Sequence, residues 1–280
     1  MKQKNKKPII SVNIPTFNSE KTLEKILKAV KAQTYKDYEI IIIDHYSEDK
    51  TLEIAKKYTK KIYMDKGKLL SSRHIGVKKS KGKFILFLDS DQILDSNAFE
   101  KIAKSFEKND YDMLILEERS YKTKNILEKI TDLDRKIVQE QYEINPTKSV
   151  LLARVFKKDL LLKVFKKIDP ELYKIVTVED HAIIYYESWK ITKKIGLIKK
   201  AVFHMEPSKW SEIYHHYHAW GKRSKSSKTM LPKEYRDMFE SKMRYRLKNL
   251  NWFDPRTYII LVPIILKGLA YKIGHNYSKD

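Results

Sequence analysis

Residues 9–120 alternate short β-branched runs with segments of helical period, and this alternation constrains the fold more than any other feature. Strands are predicted at Ile9–Ile14, at Tyr38–Ile43, a nearly continuous apolar run, and at Phe84–Leu88. The helix predicted after the first strand carries apolar residues on one face, at Leu23, Ile26, Leu27 and Val30. The pattern predicts an α/β fold, a mostly parallel sheet flanked by helices, with its ligand site at the carboxyl ends of the strands.

Glycine and cysteine usage excludes several classes of protein. No two of the seven glycines are spaced as G-x-G, which excludes the dinucleotide-binding fingerprint. The nearest approach to a phosphate-binding P-loop, from Gly76 to Lys83, has one residue too many and is followed by Phe84. Because the chain has no cysteine, it has no disulfide, no cysteine-based zinc site and no thiol nucleophile.

The charge of the chain is strongly unbalanced. It has 58 Lys and Arg against 36 Asp and Glu, a formal net charge of +22. Such an excess predicts attraction to polyanions. The basic residues are spread along the chain and form no known nucleic-acid-binding module, so we expect no nucleic acid partner. The expected anionic partner is therefore a membrane surface or a phosphate-bearing substrate.

Polar residues follow three of the predicted strands. They are Pro15–Asn18, Asp44–Ser47 and Asp89–Gln92. Each group alone is most often a turn or a helix cap, but the ends of neighbouring parallel strands converge. Two carboxylates at i and i+2, such as Asp89 and Asp91, can jointly hold a hard cation on a bent turn. We therefore expect Mg²⁺ or Mn²⁺ bridging a diphosphate.

These segments together resemble a known family. Ile9–Leu94 is similar to the nucleotide-sugar-binding half of family-2 glycosyltransferases of the GT-A fold. The resemblance is carried, in order, by Ser11–Asn18, Gln33–Asp44, Ser72–Val77 and Lys81–Asp91. It implies a GT-A fold, a nucleoside-diphosphate-sugar donor and inversion at the anomeric carbon.

The resemblance also implies roles for individual residues. The nucleotide-binding residues would be Pro15, Thr16, Phe17, Asp44, Arg73, Asp89 and Ser90. With Pro15 lining the base pocket, Phe17 would stack on the base and Asp44 would accept a hydrogen bond from a ring N–H. Arg73 would face the phosphates and Asp89 the ribose or sugar. Asp91 would bind the metal.

Two further residues are implied in the second half of the chain. Val176–Asp180 resembles a β-branched run followed by the family's acidic pair, which makes Asp180 the candidate catalytic base; a carboxylate stabilised at a helix start is the alternative. Ala201–Glu206 resembles a strand whose terminal histidine completes the metal site, so His204 is a candidate ligand, or else a structural residue. The family usually has an acidic residue where this chain has His45. The identity of the nucleotide base in the donor is therefore left open.

The predicted organisation is a GT-A catalytic domain over residues 1–206 and a basic helical extension over 207–280. The nucleotide-sugar half would cover about 9–118 and the acceptor half about 119–206. Adjacent histidines at His215–His218 point in different directions on a helix and cannot share one metal ion. No Gln-x-x-Arg-Trp signature of processive members occurs.

The most apolar stretch of the chain is Tyr258–Leu266. Lys267 interrupts it short of the roughly 18 to 20 residues that a membrane span needs, so we expect no crossing. It is predicted either to pack on the catalytic domain or to lie on an anionic lipid surface. With a basic N-terminus that lacks an apolar signal segment, we expect a cytoplasmic enzyme, peripheral on the inner face of the cell membrane in the second case.

The sequence thus predicts a metal-dependent inverting glycosyltransferase whose acceptor hydroxyl lies on a glycan or a lipid-linked sugar. A nucleotide-sugar-binding protein without catalysis is the first alternative. A nucleotidyltransferase on a similar sheet is the second, but it would carry a Gly- and Arg-rich loop that Pro15–Ser19 lacks.

Overall fold

The structure, a computed structural model, describes residues 9–140, 143–149 and 151–277. In these residues the strands are β1 (Ile10–Thr16), β2 (Tyr38–Asp44), β3 (Ile62–Met64), β4 (Phe84–Phe87), β5 (Gln92–Leu94), β6 (Met113–Ser120), β7 (Ala153–Lys157) and β8 (Ile195–His204). The helices are α1 (Glu20–Lys31), α2 (Thr51–Lys56), α3 (Leu69–Lys79), α4 (Ala98–Lys108), α5 (Ile126–Glu140), α6 (Lys158–Lys167), α7 (Leu172–Ile175), α8 (Asp180–Ile191), α9 (Trp210–Met230), α10 (Lys233–Lys248) and α11 (Pro255–Tyr277).

The strands form one sheet in the order β3-β2-β1-β4-β7-β6-β8-β5. The first four strands of this order are parallel. The other half is mixed, because β7 is antiparallel to β4 and β6, while β8 is parallel to β6 and antiparallel to β5. The predicted α/β class with a helix-flanked sheet is confirmed, and its parallel character belongs to the N-terminal half.

Both faces of the sheet are covered by helices, which explains the continuous apolar runs. In β4, Phe84 and Leu86 pack into one apolar cluster, while Ile85 and Phe87 pack into another on the opposite face. This follows from the two-residue period of a strand. The first cluster also takes the apolar face of α1, and the second takes those of α6 and α8.

Helices α9, α10 and α11 follow the last strand and lie in the predicted extension. The α11 helix packs along α9 and α5. Gly221 and Gly274 lie where an added Cβ would overlap the backbone carbonyls of Tyr271 and His218, so the two helix backbones are in close contact. Ile260 is buried in a small cluster with residues of α5.

The prediction that the C-terminal apolar segment is too short to span a bilayer is wrong on length. The α11 helix has 23 residues, and Pro255–Asn276 is long and apolar enough to cross a membrane, with 28% of its apolar window buried. The helix continues through Lys267. The Nζ of Lys267 lies on the packed face, 3.8 Å from Oδ2 of Asp134, so its charge does not interrupt the exposed apolar face. One face of α11 packs on the protein, as predicted for a core helix.

Candidate active site

The carboxyl ends of β1, β2 and β4 meet at one edge of the sheet. Thr16 on β1 lies opposite Asp44 on β2, and its hydroxyl donates to Oδ2 of Asp44 at 2.7 Å. The amide and hydroxyl of Ser47 donate to the same carboxylate at 2.8 and 2.7 Å. Ser19 donates to the hydroxyl of Ser90 at 3.0 Å, which joins the residues after β1 and β4. The structure therefore brings the three predicted strand ends together.

An aromatic surface is exposed at this edge. The Phe17 side chain is 54% exposed and lies edge-on to the His45 ring, with 5.5 Å between the ring centroids. Pro15 is half-buried beside it. Asp44 is fully buried behind these residues and already accepts three protein hydrogen bonds. Its role as acceptor for a ring N–H, like the stacking role of Phe17, stays a prediction.

Behind the strand ends lies a buried charge cluster, formed by Arg73, Asp89, Arg154, Asp180 and His181. Arg73 on α3 has no exposed surface; its Nε donates to Oδ2 of Asp180 at 3.0 Å and its Nη2 donates to Oδ1 of Asp89. Arg154 on β7 donates through Nη1 to the other oxygen of Asp89 at 3.0 Å. Two arginines from different elements thus hold one carboxylate.

His181 completes the charge cluster as a neutral imidazole. Its Nε2 lies 2.8 Å from Nη2 of Arg73 and 3.2 Å from Nη1 of Arg154. Because arginine has only donors, these two contacts favour an unprotonated Nε2, which also lies 3.4 Å from Oδ1 of Asp89. Burial and the Arg73 charge lower the pKa of His181. Burial alone would raise the pKa of Asp89, but Arg73 and Arg154 hold it well below its usual range.

The structure shows surroundings for three of these residues that differ from those the sequence suggested, while their roles stay predictions. Asp89 and Asp91 were expected to hold a cation jointly, but each oxygen of Asp89 faces an arginine. Arg73 was expected to face the phosphates, but its guanidinium is buried between Asp89 and Asp180. Asp180 begins α8, the position named as the alternative to a catalytic role, and its side chain is 3% exposed.

Asp91 and His204 form a pair that fits a divalent cation. His204 ends β8 opposite the first residue of β5, Gln92, so its ring reaches the residue just before β5. Its Nε2 lies 3.4 Å from Oδ2 of Asp91, and the two side chains are 22% and 40% exposed. A carboxylate with an imidazole suits Mn²⁺, and Mg²⁺ binds through few protein ligands plus phosphates. In the described part of the chain no group of three such side chains forms, so diphosphate oxygens would have to complete the shell.

A cavity of about 370 Å³ opens beside this pair. It is enclosed by β6, β8, α5 and the extension, and its polar lining includes Glu118, Arg135, Glu206, His216 and Tyr217. Sequence reasoning missed these side chains, because they come from separate elements and share no local motif. Only Glu118, the second of two glutamates that follow the apolar start of β6, lies in a local pattern that could have identified it.

The lining of this cavity is held by paired charges. Glu118 accepts from Nε of Arg154 at 2.6 Å and from Nη1 of Arg135 at 3.0 Å. Burial would raise the pKa of Glu118, but these guanidinium groups lower it to about 2. Nε of Arg135 also donates to Glu206 at 2.6 Å, and burial raises the pKa of Tyr217 to about 12. Fixed charges and a protonated phenol suit a ligand rich in hydroxyl groups.

Residues 11–157 match the family model described as glycosyl transferase family 2. The chain belongs to this family. Its fold also matches the crystal structure of Staphylococcus aureus TarS 1–349, with a TM-score of 0.57 and 18% identity, over 92% of this chain and 80% of that one. The structure of TarS 1–349 in complex with UDP-GlcNAc matches with a TM-score of 0.54 and 15% identity, over 95% and 90%. The GT-A fold implied by the sequence resemblance is confirmed.

Curated glycosyltransferases are similar to part of the chain. The poly(ribitol-phosphate) beta-N-acetylglucosaminyltransferase TarP of S. aureus is 37% identical over 115 residues, 38% of this chain and 35% of that protein. The cholesterol galactosyltransferase of Borreliella burgdorferi is 40% identical over 97 residues, 32% and 27% of the two chains. The chain spans about a third of the length of such relatives.

Proposed function

We propose that this family-2 protein transfers a sugar from a nucleoside-diphosphate-sugar to an acceptor hydroxyl, with inversion of the anomeric carbon. The observation that carries the proposal is the meeting of the three strand ends with the Asp91–His204 pair and the adjacent cavity. A donor at the strand ends and an acceptor in the cavity would then react at their boundary, near Asp89 and Asp91.

The donor we propose is a UDP-sugar. The neighbouring TarS structures are described as complexes with UDP-GlcNAc and with UDP, which supports uracil as the base. Phe17 would offer its exposed ring to the base. Asp89, held ionised by Arg73 and Arg154, would accept from a ribose or sugar hydroxyl.

A divalent cation fits between Asp91 and His204, and when bound it would supply positive charge to the leaving diphosphate. The acceptor hydroxyl would attack C1 of the sugar on the side opposite the diphosphate while Asp180 takes its proton. A general base of this kind contributes roughly 10² to 10⁴ in rate. Arg73 donates to Oδ2 of Asp180, so we propose that Oδ1 accepts the proton of the acceptor hydroxyl. The C1–phosphate oxygen bond breaks as the new glycosidic bond forms.

The acceptor we propose is a hydroxyl on a glycan or a sugar polymer, free or lipid-linked. By their names, TarP and TarS act on poly(ribitol-phosphate), and the Borreliella relative acts on cholesterol. Poly(ribitol-phosphate) and cholesterol both carry hydroxyl groups. The charged lining around Glu118 and Arg135 suits a polar acceptor better than a sterol.

The proposal is tested by incubating the protein with a panel of nucleotide sugars and Mn²⁺, with and without EDTA, and measuring release of the nucleoside diphosphate. We expect release from a UDP-sugar that EDTA abolishes, and a product of inverted configuration by NMR. Release of UDP with retained configuration would overturn the inverting mechanism.

A nucleotide-sugar-binding protein without catalysis is a second candidate, favoured by the burial of Asp180 against Arg73. The same panel separates the two, because this candidate predicts calorimetric binding of a UDP-sugar with neither hydrolysis nor transfer.

A further inference from the structure

One face of α11 carries a continuous apolar surface exposed to solvent. We call it the α11 stripe, and its residues are Tyr258, Ile259, Val262, Ile265, Leu266, Leu269 and Ile273. They recur at intervals of three and four, so they share one side of the helix. From first to last they cover about 22 Å at 1.5 Å per residue. Exposed apolar patches of this extent on a folded protein mark an interaction surface.

Aromatic residues extend the α11 stripe at its N-terminal end. Phe253 is 99% exposed and Trp252 is 51% exposed, just before the helix begins. The Tyr258 hydroxyl donates to the carbonyl of Trp252 at 3.0 Å, and the two rings pack edge-on with centroids 6.3 Å apart. Tryptophan and tyrosine favour the headgroup level of a bilayer, where an apolar ring and a polar tip are both satisfied.

The opposite face of α11 is held to the protein, so the helix cannot cross a membrane without leaving its place. Gly274 contacts the backbone of α9. Lys267 faces Asp134 on α5, and Arg256 donates to Glu140 at the end of α5 at 2.9 and 3.1 Å. A helix with one face anchored by charges and the other bare and apolar is arranged to lie flat on a surface.

Charge decides between a lipid surface and a second copy of the chain. Residues 207–280 contain 15 Lys and Arg against 6 Asp and Glu, and the exposed Lys272 lies beside Ile273 at the end of the α11 stripe. Two copies, each with a net charge of +22, repel one another, whereas an anionic bilayer attracts a chain of this charge. Apolar contact and charge therefore favour the same occupant.

We propose that the α11 stripe, together with Trp252 and Phe253, docks the protein flat on an anionic lipid bilayer. Lys267, on the packed side of α11, lines the cavity beside Asp91. In the docked protein the α11 helix would therefore lie between this cavity and the lipid, a separation of about one helix diameter, roughly 10 Å. Membrane docking would bring the cavity to acceptors held at the surface. The docking itself does not depend on the transfer reaction.

The test is co-sedimentation of the full chain with two kinds of vesicle. One is phosphatidylcholine alone, and the other contains about 30 to 50% phosphatidylglycerol, which makes the surface anionic. We expect binding to the anionic vesicles that weakens between low and physiological salt. Leu269→Gln and Phe253→Ser should each lower the partition coefficient by about tenfold, because each removes an apolar side chain from the interface. The matched control is Ile126→Gln, which removes a 73% exposed isoleucine at the start of α5.

Circular dichroism checks that each variant is folded, and calorimetric titration with UDP reports separately on the proposed function. The docking proposal is overturned if the unaltered protein ignores anionic vesicles at low salt, or if the two stripe variants bind them as well as Ile126→Gln does. It is also overturned if the protein dimerises without lipid and Leu269→Gln makes it monomeric, since the stripe would then be a contact between copies. If the unaltered protein does not bind UDP, that result counts against the proposed function and not against the docking proposal.

Discussion

At the scale of single residues, the buried charge cluster decides how the active site is built. Removing one partner of a buried ion pair typically costs about 3 to 5 kcal/mol, because the remaining charge stays buried. Arg73 has two carboxylate partners, Asp89 and Asp180, and Asp89 has a second arginine, Arg154. Each charge is therefore balanced, and the side chains are held in place before any ligand binds. A preorganised site of this kind suits transition-state stabilisation.

Replacing Asp180 with asparagine tests its proposed role as the base. The amide has nearly the shape of the carboxylate and can still accept from Arg73, but it cannot take a proton. We expect turnover to fall at least about a hundredfold, while the dissociation constant of the donor changes only a few-fold. The matched control is Asp112→Asn, which alters a partly buried carboxylate paired with Lys157 at the start of β6. Near-normal turnover in Asp180→Asn would move the base elsewhere.

Replacing Asp91 with asparagine tests the cation site. We expect UDP binding to weaken at least about tenfold in Mn²⁺, because a neutral amide is a poorer ligand for a hard cation. EDTA should weaken binding to the unaltered protein and have little further effect on the variant. Asp159→Asn, which alters an exposed carboxylate on α6, is the control in the same calorimetric titration. Equal affinity with and without EDTA would remove the metal from the proposal.

The lowered pKa of His181 predicts acid sensitivity. The unfolded chain, with a histidine pKa of about 6.5, binds this proton more readily than the folded protein, so stability falls as pH decreases below about 7. Asp89, whose pKa is also lowered, loses its contribution only at lower pH, below about 4. We expect His181→Gln to flatten the fall in unfolding free energy between pH 7 and 5 by up to about 1.4 kcal/mol per pH unit. His215→Gln, at an exposed position on α9, should leave the slope unchanged in urea denaturation.

At the scale of elements, local periodicity predicted what depends on local sequence. The strands β1, β2 and β4 were predicted from short β-branched or apolar runs, and the helix α1 from apolar residues at the helical period. The α11 helix was misjudged because sequence alone does not say which face meets the protein. Lys267 interrupts the apolar run, yet it lies on the packed side next to Asp134. The apolar stripe on the other side therefore continues past it.

Two glycines of α11 provide a matched test of its packing. At Gly274 an added Cβ would overlap the His218 carbonyl, whereas at Gly268 it would meet nothing within 4 Å. We expect Gly274→Ala to lower the unfolding free energy by about 1 to 3 kcal/mol through overpacking. Gly268→Ala should leave it unchanged or raise it by up to about 1 kcal/mol, from helix propensity. If urea denaturation finds the two variants equally stable, α11 does not pack on α9 as described.

At the scale of the whole molecule, the meeting of the first three strand ends was predictable and the cavity beside them was not. The three strand ends of the first half belong to neighbouring strands of a parallel sheet, so their meeting follows from the sheet itself. The cavity needs Glu118, Arg135, Arg154 and Glu206 to meet from β6, α5, β7 and the residues after β8. Their proximity depends on the order of the mixed half of the sheet, and no periodicity in the sequence encodes that order.

Ending the chain at Leu250 removes α11 and tests how far the strand ends depend on it. The α11 helix packs on α9 and α5, and the strand ends around Asp44 hold together through contacts of their own. Removing α11 should uncover the inner faces of α9 and α5, including Ile137, and loosen the cavity that Lys267 helps to line. We expect the shortened chain to bind UDP within about tenfold of the full chain, to bind the dye ANS, and to lose sugar transfer. Calorimetry, dye fluorescence and the transfer assay give the three readouts. Complete loss of UDP binding would mean that α11 also supports the strand ends where we propose that the nucleotide binds.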